Sequence, residues 1–310
     1  MRRLRRAALL LLLLFFAAGL LRFPVPCAQA ARQGLALCFE TVLPSLFPFF
    51  VLSSLVVSCG MAQGLARVLE PCMYPLFGLS GAGAGALVMG LIGGYPVGAR
   101  TAAELFQSGA LSRGEAERLL AFCNNAGPGF LLGVCGTVVF ANMRAGLFLY
   151  LVHVLAAVLT GALLRRRLPR KALVRHSPPP AQRFSTAFPA AVSGAFASVW
   201  NVCAFVVLFM VLLRLVTLVL PDGAAQSPWY PLLQGAVELT NGVLALSADR
   251  RSFVLCAVLL GWGGLSVHAQ TVSVLSASGL SLRRYWYGKL LHALLSAPLA
   301  VLVSGRLFPA

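Results

Sequence analysis

The chain is short of charged residues, and acids are its scarcest class. Only 11% of its 310 residues are charged, and Asp and Glu number 8 against 25 Lys and Arg. Because soluble domains carry about 25% charged residues, a soluble fold is excluded. With 59% hydrophobic residues and a mean hydropathy of +0.86, the chain is predicted to be a polytopic membrane protein. The net charge of +17 does not indicate nucleic acid, since arginine in such a chain marks cytoplasmic loops and contacts anionic lipid.

Motifs for catalysis, metal binding and nucleotide binding are missing as well. The sequence contains no P-loop, no HExxH and no Ser/His/Asp set, so we expect no enzymatic activity. ATP-driven transport would need another subunit. The 8 cysteines are scattered, without a CxxC pair or Cys/His metal spacing, which predicts neither disulfides nor a metal or other cofactor.

Long apolar runs set the predicted topology, because about 20 such residues span a bilayer. Continuous spans are expected near 7–21, 36–59, 144–164, 188–220 and 290–305. The arginines before the first run and the Ala28-Gln29-Ala30 triplet also fit a cleaved signal peptide over residues 1–30. We favour an uncleaved N-terminal membrane helix, since a polytopic protein needs no separate cleaved signal.

Four other hydrophobic segments are less regular, and they lie near 74–98, 119–140, 228–247 and 252–278. The first holds so many glycines that two half-helices or a re-entrant hairpin explain it better than one straight helix. Irregular backbone is tolerated at membrane depth only where protein or a water-filled cavity surrounds it. The breaks are therefore expected to line a site.

A basic, proline-rich linker at 165–185 separates two predicted repeats, 31–164 and 186–310. A shift of 170 residues lays GGYPVGART at 93–101 over GGLSVHAQT at 263–271, which predicts an internal duplication. If the arginine-rich N-terminus and linker are both cytoplasmic, the helices near 36–59 and 188–220 run in opposite directions. The expected fold class is all-α and polytopic, with two inverted repeats of interrupted or re-entrant helices, as in many secondary transporters.

The first candidate substrate-binding element is GGYPVGAR at 93–100. Glycine permits close backbone approach, proline frees a carbonyl, the tyrosine offers a ring face with a hydroxyl, and the arginine is placed to meet an anion. The alternative is a glycine-packed helix crossing, with the arginine reaching the membrane interface. The residues singled out are Gly93, Gly94, Tyr95, Pro96, Gly98 and Arg100.

The second candidate element is CNNAGPG at 123–129. The adjacent amides of Asn124 and Asn125 must find partners in an apolar setting. Gly127 and Pro128 are expected to break the helix, so that the N–H groups of a half-helix from Phe130 onward form a local anion site. The alternative is an internally satisfied structural break.

Charged residues lie between the two elements, and Ser112-Arg113-Gly114-Glu115 fits a capping box that predicts a helix start near Arg113. We expect this charged patch to be a solvated turn and helix start, with Glu104 as the exception. Its members are Glu104, Arg113, Glu115, Glu117 and Arg118.

The second half offers Glu238, Thr240 and Asn241 within one turn. An acid inside the membrane is costly and usually functional, so Glu238 is a candidate for a coupling proton or ion. The alternative is a paired structural acid. Ser266, His268 and Gln270 occupy the counterpart of the Tyr95 turn, although a lone histidine is more often structural.

Several segments resemble the YlbJ-type sporulation integral membrane proteins of the nucleoside-recognition (Gate) group, which is similar in architecture to concentrative nucleoside transporters. The resemblance covers about Ala31 to Arg306 and is carried by LPSLFPF at 43–49, LEPCMYPLFG at 69–78, GLIGGYPVGAR at 90–100, LSRGEAERLLAFCNNAGPGFLLG at 111–133 and ELTNG at 238–242.

This resemblance implies a spore-forming bacterium, a multi-pass protein of the mother-cell or outer forespore membrane, and a role in spore heat resistance. It implies movement of dipicolinic acid, a small aromatic dicarboxylate, from mother cell toward forespore. By position, the implied site is Gly93 to Arg100, Asn124 to Pro128 and Glu238 to Asn241. Family members often have lysine where this chain has Arg100, so the charge is kept with a different geometry.

Three functions remain open from the residues. An anionic aromatic solute suits Arg100, the half-helix ends, the paired amides and Tyr95. A nucleoside or nucleobase-like solute would instead use the amides for base edges and Glu238 for ribose. A non-transporting assembly factor would recruit partners through the charged patch. Expected partners are a small anion and membrane lipid, with no nucleic acid; a coupling proton or Na⁺ and a homo-oligomer are left open.

Overall fold

The computed structural model describes residues 2–59, 61–165, 182–221, 223, 227 and 229–308, and its regular elements are all helical. The α-helices before the linker are α1 (Arg2–Arg22), α2 (Pro24–Leu37), α3 (Leu43–Ser58), α4 (Met61–Phe77), α5 (Ala84–Gly93), α6 (Val97–Gln107), α7 (Arg113–Cys123) and α8 (Met143–Leu163). The π-helices Cys38–Val42 and Gly129–Val139 precede α3 and α8, and the 3₁₀ turn Gly81–Gly83 precedes α5. The helices after the linker are α9 (Phe184–Val219), α10 (Tyr230–Val237), α11 (Leu239–Leu244), α12 (Arg250–Trp262), α13 (Gly264–Leu275) and α14 (Arg283–Ser304).

Five helical stretches of the described residues are long and apolar enough to cross a membrane, which confirms the all-α, multi-span prediction. They are Pro24–Val56, Met143–Leu163, Phe184–Val219, Arg250–Leu275 and Arg283–Ser304. The first predicted span, near 7–21, is not among them: its apolar part, Leu10–Arg22, is a shorter helix. Whether α1 is a cleaved signal or an anchor stays a prediction.

The glycine-rich segment near 74–98 is bent, as its composition predicts. The helices Arg67–Phe77 and Gly81–Gly93 meet at 115°, and counting them as one broken span raises the number of spans to 6. Gly78 has a φ of +65° at this bend, a backbone conformation that side chains disfavour. Two half-helices therefore replace one straight helix here.

The two halves are interrupted at the glycines that the 170-residue shift overlays. The α5 helix ends at Gly93 and α6 follows after Gly94-Tyr95-Pro96, while α12 and α13 are separated at Gly263. The α6 and α13 helices pack against each other. The duplication, its inverted orientation and the likeness to concentrative transporters stay predictions. Residues 166–181 of the predicted linker lie outside the described residues.

The α14 helix has two unlike faces. Leu290, Leu294 and Leu302 are exposed on its outer side, where lipid would solvate them. Lys289 and His292 are buried on the opposite side. Membrane helices place ionisable residues toward the bundle interior, so α14 carries a polar stripe into the centre of the protein.

The capping box at the start of α7 is confirmed. Ser112 is the N-cap of a helix that begins at Arg113, and the Ser112 and Glu115 side chains bond each other's backbone N–H groups. Glu115 also accepts a 3.0 Å hydrogen bond from the N–H of Ser80 at the bend after α4. The charged patch is solvated only in part, because Glu115 and Arg118 are buried whereas Glu104, the expected exception, is exposed.

The environment of Glu115 lowers the pKa of its carboxyl. Burial alone would raise the pKa, but hydrogen bonds from Ser80 and Ser112 outweigh burial and hold it below the ordinary glutamate value. The ionised carboxylate therefore fastens the start of α7 to the bend after α4.

Candidate functional site

Helix breaks from both halves meet in the interior of the protein. A Cβ built on Gly94 would lie 2.9 Å from the Gly127 nitrogen, and one on Gly263 would lie 3.2 Å from the Tyr95 hydroxyl. A Cβ on Gly264 would lie 3.0 Å from the Leu239 nitrogen. Gly94, Gly263 and Gly264 all have positive φ values. Glycine is favoured at these points because side chains disfavour a positive φ and the neighbouring atoms leave little space for a Cβ.

A pocket with a cavity volume of about 60 Å³ lies where these breaks meet. Phe49, Phe50 and Val206 belong to its apolar wall. Eight of the predicted site residues line it: Gly93, Gly94, Tyr95, Gly127, Glu238, Thr240, Ser266 and Gln270. A liquid water molecule takes up about 30 Å³, so the pocket as it stands has room for only a few waters.

Lys289, which sequence reasoning missed, lies directly behind Tyr95. It is 1% exposed, and its Nζ donates hydrogen bonds to the Tyr95 hydroxyl at 2.8 Å and to the Asn124 carbonyl at 3.3 Å. The same Nζ lies 5.0 Å from the centroid of the Tyr95 ring. Tyr95, whose hydroxyl donates in turn to the Leu260 carbonyl at 3.1 Å, therefore stands between the amine and the pocket.

The paired asparagines end α7 and open the second break. The Asn124 amide donates to the Thr271 hydroxyl at 2.9 Å, and the Asn125 amide donates to the Phe122 carbonyl at 2.9 Å. Both side chains are buried and both amide oxygens lack a hydrogen-bond partner within the described protein. Each amide therefore fixes the break with its nitrogen and keeps an acceptor oxygen unused.

Two buried histidines support the same break. The N–H of Ala126 donates to His153 Nε2 at 3.0 Å, and His292 Nε2 lies 3.1 Å from the His153 carbonyl. The two rings lie 4.4 Å apart between centroids. Because Nε2 of His153 accepts, its proton is assigned to Nδ1, and that atom has no partner in the described residues.

His268 belongs to an aromatic cluster beside the pocket. Its Nδ1 lies 2.7 Å from the Tyr285 hydroxyl, and its ring packs on Trp262 and Trp286 with centroid distances of 4.4 Å. Tyr285 donates to the Thr271 hydroxyl at 3.3 Å, which also accepts from Asn124. His268 thus connects to Asn124 through the hydroxyl groups of Tyr285 and Thr271.

Glu238 is the N-cap of α11. Its carboxylate accepts hydrogen bonds from the N–H groups of Thr240 at 3.2 Å and Asn241 at 2.7 Å, and from the Ser266 hydroxyl at 3.3 Å. An ionised carboxylate is favoured at such a position. Asn241 contributes its backbone to this cap and does not line the pocket.

Several other predicted site residues do not line the pocket. Arg100 is exposed on α6 and is not among the lining residues, so its expected place opposite an anion is not the one observed. Gly98 packs on the Cys123 carbonyl, which a Cβ would approach to 2.1 Å. Pro96 and Pro128 lie within the breaks.

The N–H groups that were expected to bind an anion after Pro128 form hydrogen bonds within the protein. The N–H groups of Phe130 and Leu131 donate to the Gly127 carbonyl at 3.1 and 3.2 Å. These two donors are therefore already used within the break. No group of three or more His, Cys, Asp or Glu that could hold a metal ion occurs in the described part of the chain.

A sequence signal for Lys289 does exist. It is one of two lysines among the 25 basic residues and falls three residues before His292 and seven before Ser296. That spacing puts all three on one helix face, and an ionisable residue within a span is a functional candidate by default. The last apolar run of the sequence begins at residue 290, which places Lys289 just outside the span predicted from hydropathy.

The fold and the site define a multi-pass helical membrane protein in which interrupted helices enclose a polar centre. Residues 39–164 match the Gate family, which is described as nucleoside recognition. The chain is 30% identical over 331 aligned positions to the sporulation integral membrane protein YlbJ of Bacillus subtilis (strain 168), with 94% of this chain and 81% of that protein covered.

The chain therefore belongs to the YlbJ family of sporulation integral membrane proteins. No solved structure matches it. Family membership and the Gate match indicate a role related to membrane transport.

Proposed function

We propose that this protein is a sporulation membrane transporter that moves dipicolinic acid from the mother cell toward the forespore and is needed for spore heat resistance. The solute is a small aromatic dianion. Support comes from family membership, from the pocket between interrupted helices and from the charge beside that pocket.

The observation that carries the proposal is the buried amine of Lys289 with no acid beside it. The described residues include every acid of the chain except Asp222, and the salt bridge found among them joins Arg113 to Glu117. Lysine at the centre of a membrane helix costs about 2.5–3.5 kcal/mol on insertion scales. A carboxylate 4 Å away returns about 4 kcal/mol at an effective dielectric constant of 20, so a bound anion offsets the cost.

Neighbouring groups suit an aromatic dicarboxylate in other respects. The Tyr95 ring offers a face for stacking, and Ser266 and Thr240 bring hydroxyl groups to the pocket wall. The pocket is too small for the solute as it stands. Transport therefore requires the interrupted helices to separate, and the breaks at Gly94, Gly127 and Gly263 are the points where the backbone can turn.

Glu238 does not oppose an anion as strongly as its charge suggests. Three hydrogen bonds from α11 and Ser266 already occupy its carboxylate. Its position as a helix cap is a structural use of the acid, which leaves Lys289 as the buried ionisable group beside the pocket with no partner of opposite charge.

Flux through the purified protein in vesicles tests the proposal. Vesicles containing the protein should accumulate labelled dipicolinate faster than protein-free vesicles, and unlabelled dipicolinate should compete whereas uridine should not. Flux no greater than that of protein-free vesicles would contradict the proposal. Asn124→Ala with Asn125→Ala should lower spore dipicolinate while the protein stays in the membrane.

A nucleoside-like solute is the second candidate, and one observation favours it. The pocket itself is lined by two acceptor side chains, Glu238 and Gln270, and no basic residue lines it. The Gln270 amide oxygen has no partner within the described protein. Ribose hydroxyls could donate to both, so competition by uridine with no effect of dipicolinate would favour this function.

The third candidate function, a non-transporting assembly factor that recruits partners through the charged patch, is less well supported by the structure. Two members of the charged patch, Glu115 and Arg118, are buried and bonded within the protein. They are therefore not displayed to a partner protein.

A further inference from the structure

Lys289 is held by neutral acceptors. Its Nζ donates to the Tyr95 hydroxyl and to the Asn124 carbonyl, and an ammonium group has three donors. Neither acceptor carries charge, so neither balances a proton on the amine. An ion in an apolar interior is costly unless an opposite charge is beside it.

The elements around Lys289 supply titratable groups, and the carboxylates among them are bonded elsewhere: Glu115 of α7 to Ser80 and Ser112, and Glu117 of α7 to Ser281. Nearer the amine, the α5–α6 break, α7, α8 and α13 each bring one titratable group and α14 itself brings two, whereas Arg250 of α12 bonds Ser304 at the far end of α14. Of these, His153 accepts an N–H bond through Nε2 and is therefore neutral, and its stacking on His292 disfavours a charge on either ring. The groups are Tyr95, Cys123, His153, His268, Tyr285 and His292.

Glu238 is the acid that the sequence suggests for binding a coupling proton, but in the structure its carboxylate caps α11. Protonation of its carboxylate would weaken the hydrogen bonds from Thr240, Asn241 and Ser266 and uncap α11. Proton uptake at Glu238 would therefore cost the cap of α11 in every cycle.

We propose that Lys289 binds the coupling proton, and that an aromatic dicarboxylate and one proton bind to this site together. This inference rests on the proposed function and names the ion coupled to it. In the empty site, burial without a nearby carboxylate favours the neutral amine. When a carboxylate arrives, one proton from water adds to the lone pair of Nζ, and the resulting ammonium pairs with the carboxylate.

The coupling is reciprocal, because a ligand that favours the protonated amine is itself favoured by protonation. On release at the other side, the anion leaves and the N–H bond gives its proton back to water. Each cycle then moves one dianion with one proton, a net charge of minus one. A pH gradient that is acidic on the side of uptake would drive accumulation.

Calorimetric titration of the purified full-length protein with dipicolinate tests the inference. Measured at one pH in buffers of different ionisation enthalpy, the wild-type protein should take up about one proton for each dipicolinate bound. Over the pH range where the empty amine is neutral, each unit rise in pH should weaken the apparent affinity about tenfold.

Variants at Lys289 separate charge from proton transfer. Lys289→Arg should bind dipicolinate without proton uptake, because a guanidinium stays charged at every accessible pH. Lys289→Gln should bind at least about tenfold more weakly, the loss of one favourable charge contact. Lys171→Gln, which changes the chain's other lysine, is the matched control and should behave as wild type.

Wild-type binding without proton uptake would overturn the inference and leave the proposed function standing. Proton uptake that persists in Lys289→Arg would do the same, since the proton would then reside on another group. A wild-type protein that binds no dipicolinate would remove the proposed function and this inference together. The absence of proton uptake by the wild-type protein would overturn the inference even if a variant fails to fold.

Discussion

Replacing Gly98 with alanine should destabilise the protein by forcing two helix backbones apart. The new Cβ would lie 2.1 Å from the Cys123 carbonyl oxygen and 2.8 Å from the Gly90 Cα. Both neighbours are backbone atoms, so no side chain can rotate away. Overpacking of this kind costs about 1–3 kcal/mol, whereas alanine in a helix interior gains only about 1 kcal/mol over glycine. The cost of the steric clash is therefore expected to exceed the gain in helix propensity.

The assay is thermal unfolding of the purified protein in detergent, compared with Gly114→Ala. Gly114 lies in α7, and a Cβ there meets no atom within 4 Å. Large domains lose about 2–4 °C in Tm for each kcal/mol, so Gly98→Ala should unfold several degrees lower and Gly114→Ala at the wild-type temperature or slightly above. A Gly98→Ala protein as stable as Gly114→Ala would refute the close approach. Because Cys123 precedes Asn124, a displaced α7 should also weaken dipicolinate binding.

Substitutions at Glu115 and Tyr95 give further predictions for the stability of the protein. Glu115→Ala should cost about 1–3 kcal/mol by leaving the Ser80 and Ser112 N–H groups without their charged acceptor, whereas Glu104→Ala, at an exposed site, should change the Tm little; equal effects would contradict the burial of Glu115. The pKa of Glu115 is lowered in the folded protein. Its contribution to the free energy of unfolding is therefore full above the ordinary glutamate pKa of about 4.3 and is lost as pH falls through the folded pKa. Glu115→Gln should then make stability less dependent on pH in the acid range. Tyr95→Phe should lower the stability of the substrate-free protein by about 1–3 kcal/mol, because the Leu260 carbonyl and Lys289 each lose a partner. Dipicolinate should then raise its Tm more than that of wild type, and equal ligand-induced shifts would count against Lys289 as the anion's partner.

The breaks and the helices around them could be predicted from local chemistry. Glycine and proline near 78–96 and 127–129 interrupt helices because they occur in clusters, whereas the single prolines Pro189 and Pro298 lie inside helices. The Ser112–Glu115 capping box is a short-range signal. The long spans follow from hydropathy alone. Each of these features depends on residues within a few positions of one another.

The composition of the polar centre could not be predicted in the same way. Arg100 was favoured as the anion partner because it follows the GYPVGA motif, yet one turn of α6 carries it to the surface. Lys289 reaches the centre because α14 turns its leucines outward, and that choice depends on packing against α8 and α12. Contacts such as Lys289 to Tyr95, 194 residues apart, have no local signature.

Glu238 shows a further limit of sequence reasoning. Its type and its place in a hydrophobic segment indicated a functional acid, and it does line the pocket. Its carboxylate, however, also caps α11 through the N–H groups of Thr240 and Asn241. Whether an acid is free or engaged in a cap depends on where the helix begins, and helix ends are the least predictable part of a span.

The most direct test of the account is the initial rate of labelled dipicolinate uptake into vesicles, measured side by side for wild type, Lys289→Gln and Lys171→Gln. With an external pH one unit below the internal pH, wild type and Lys171→Gln should accumulate dipicolinate, and Lys289→Gln should stay near the protein-free rate at equal protein content. Uptake by Lys289→Gln at the wild-type rate would contradict the claim that a buried lysine receives the transported anion.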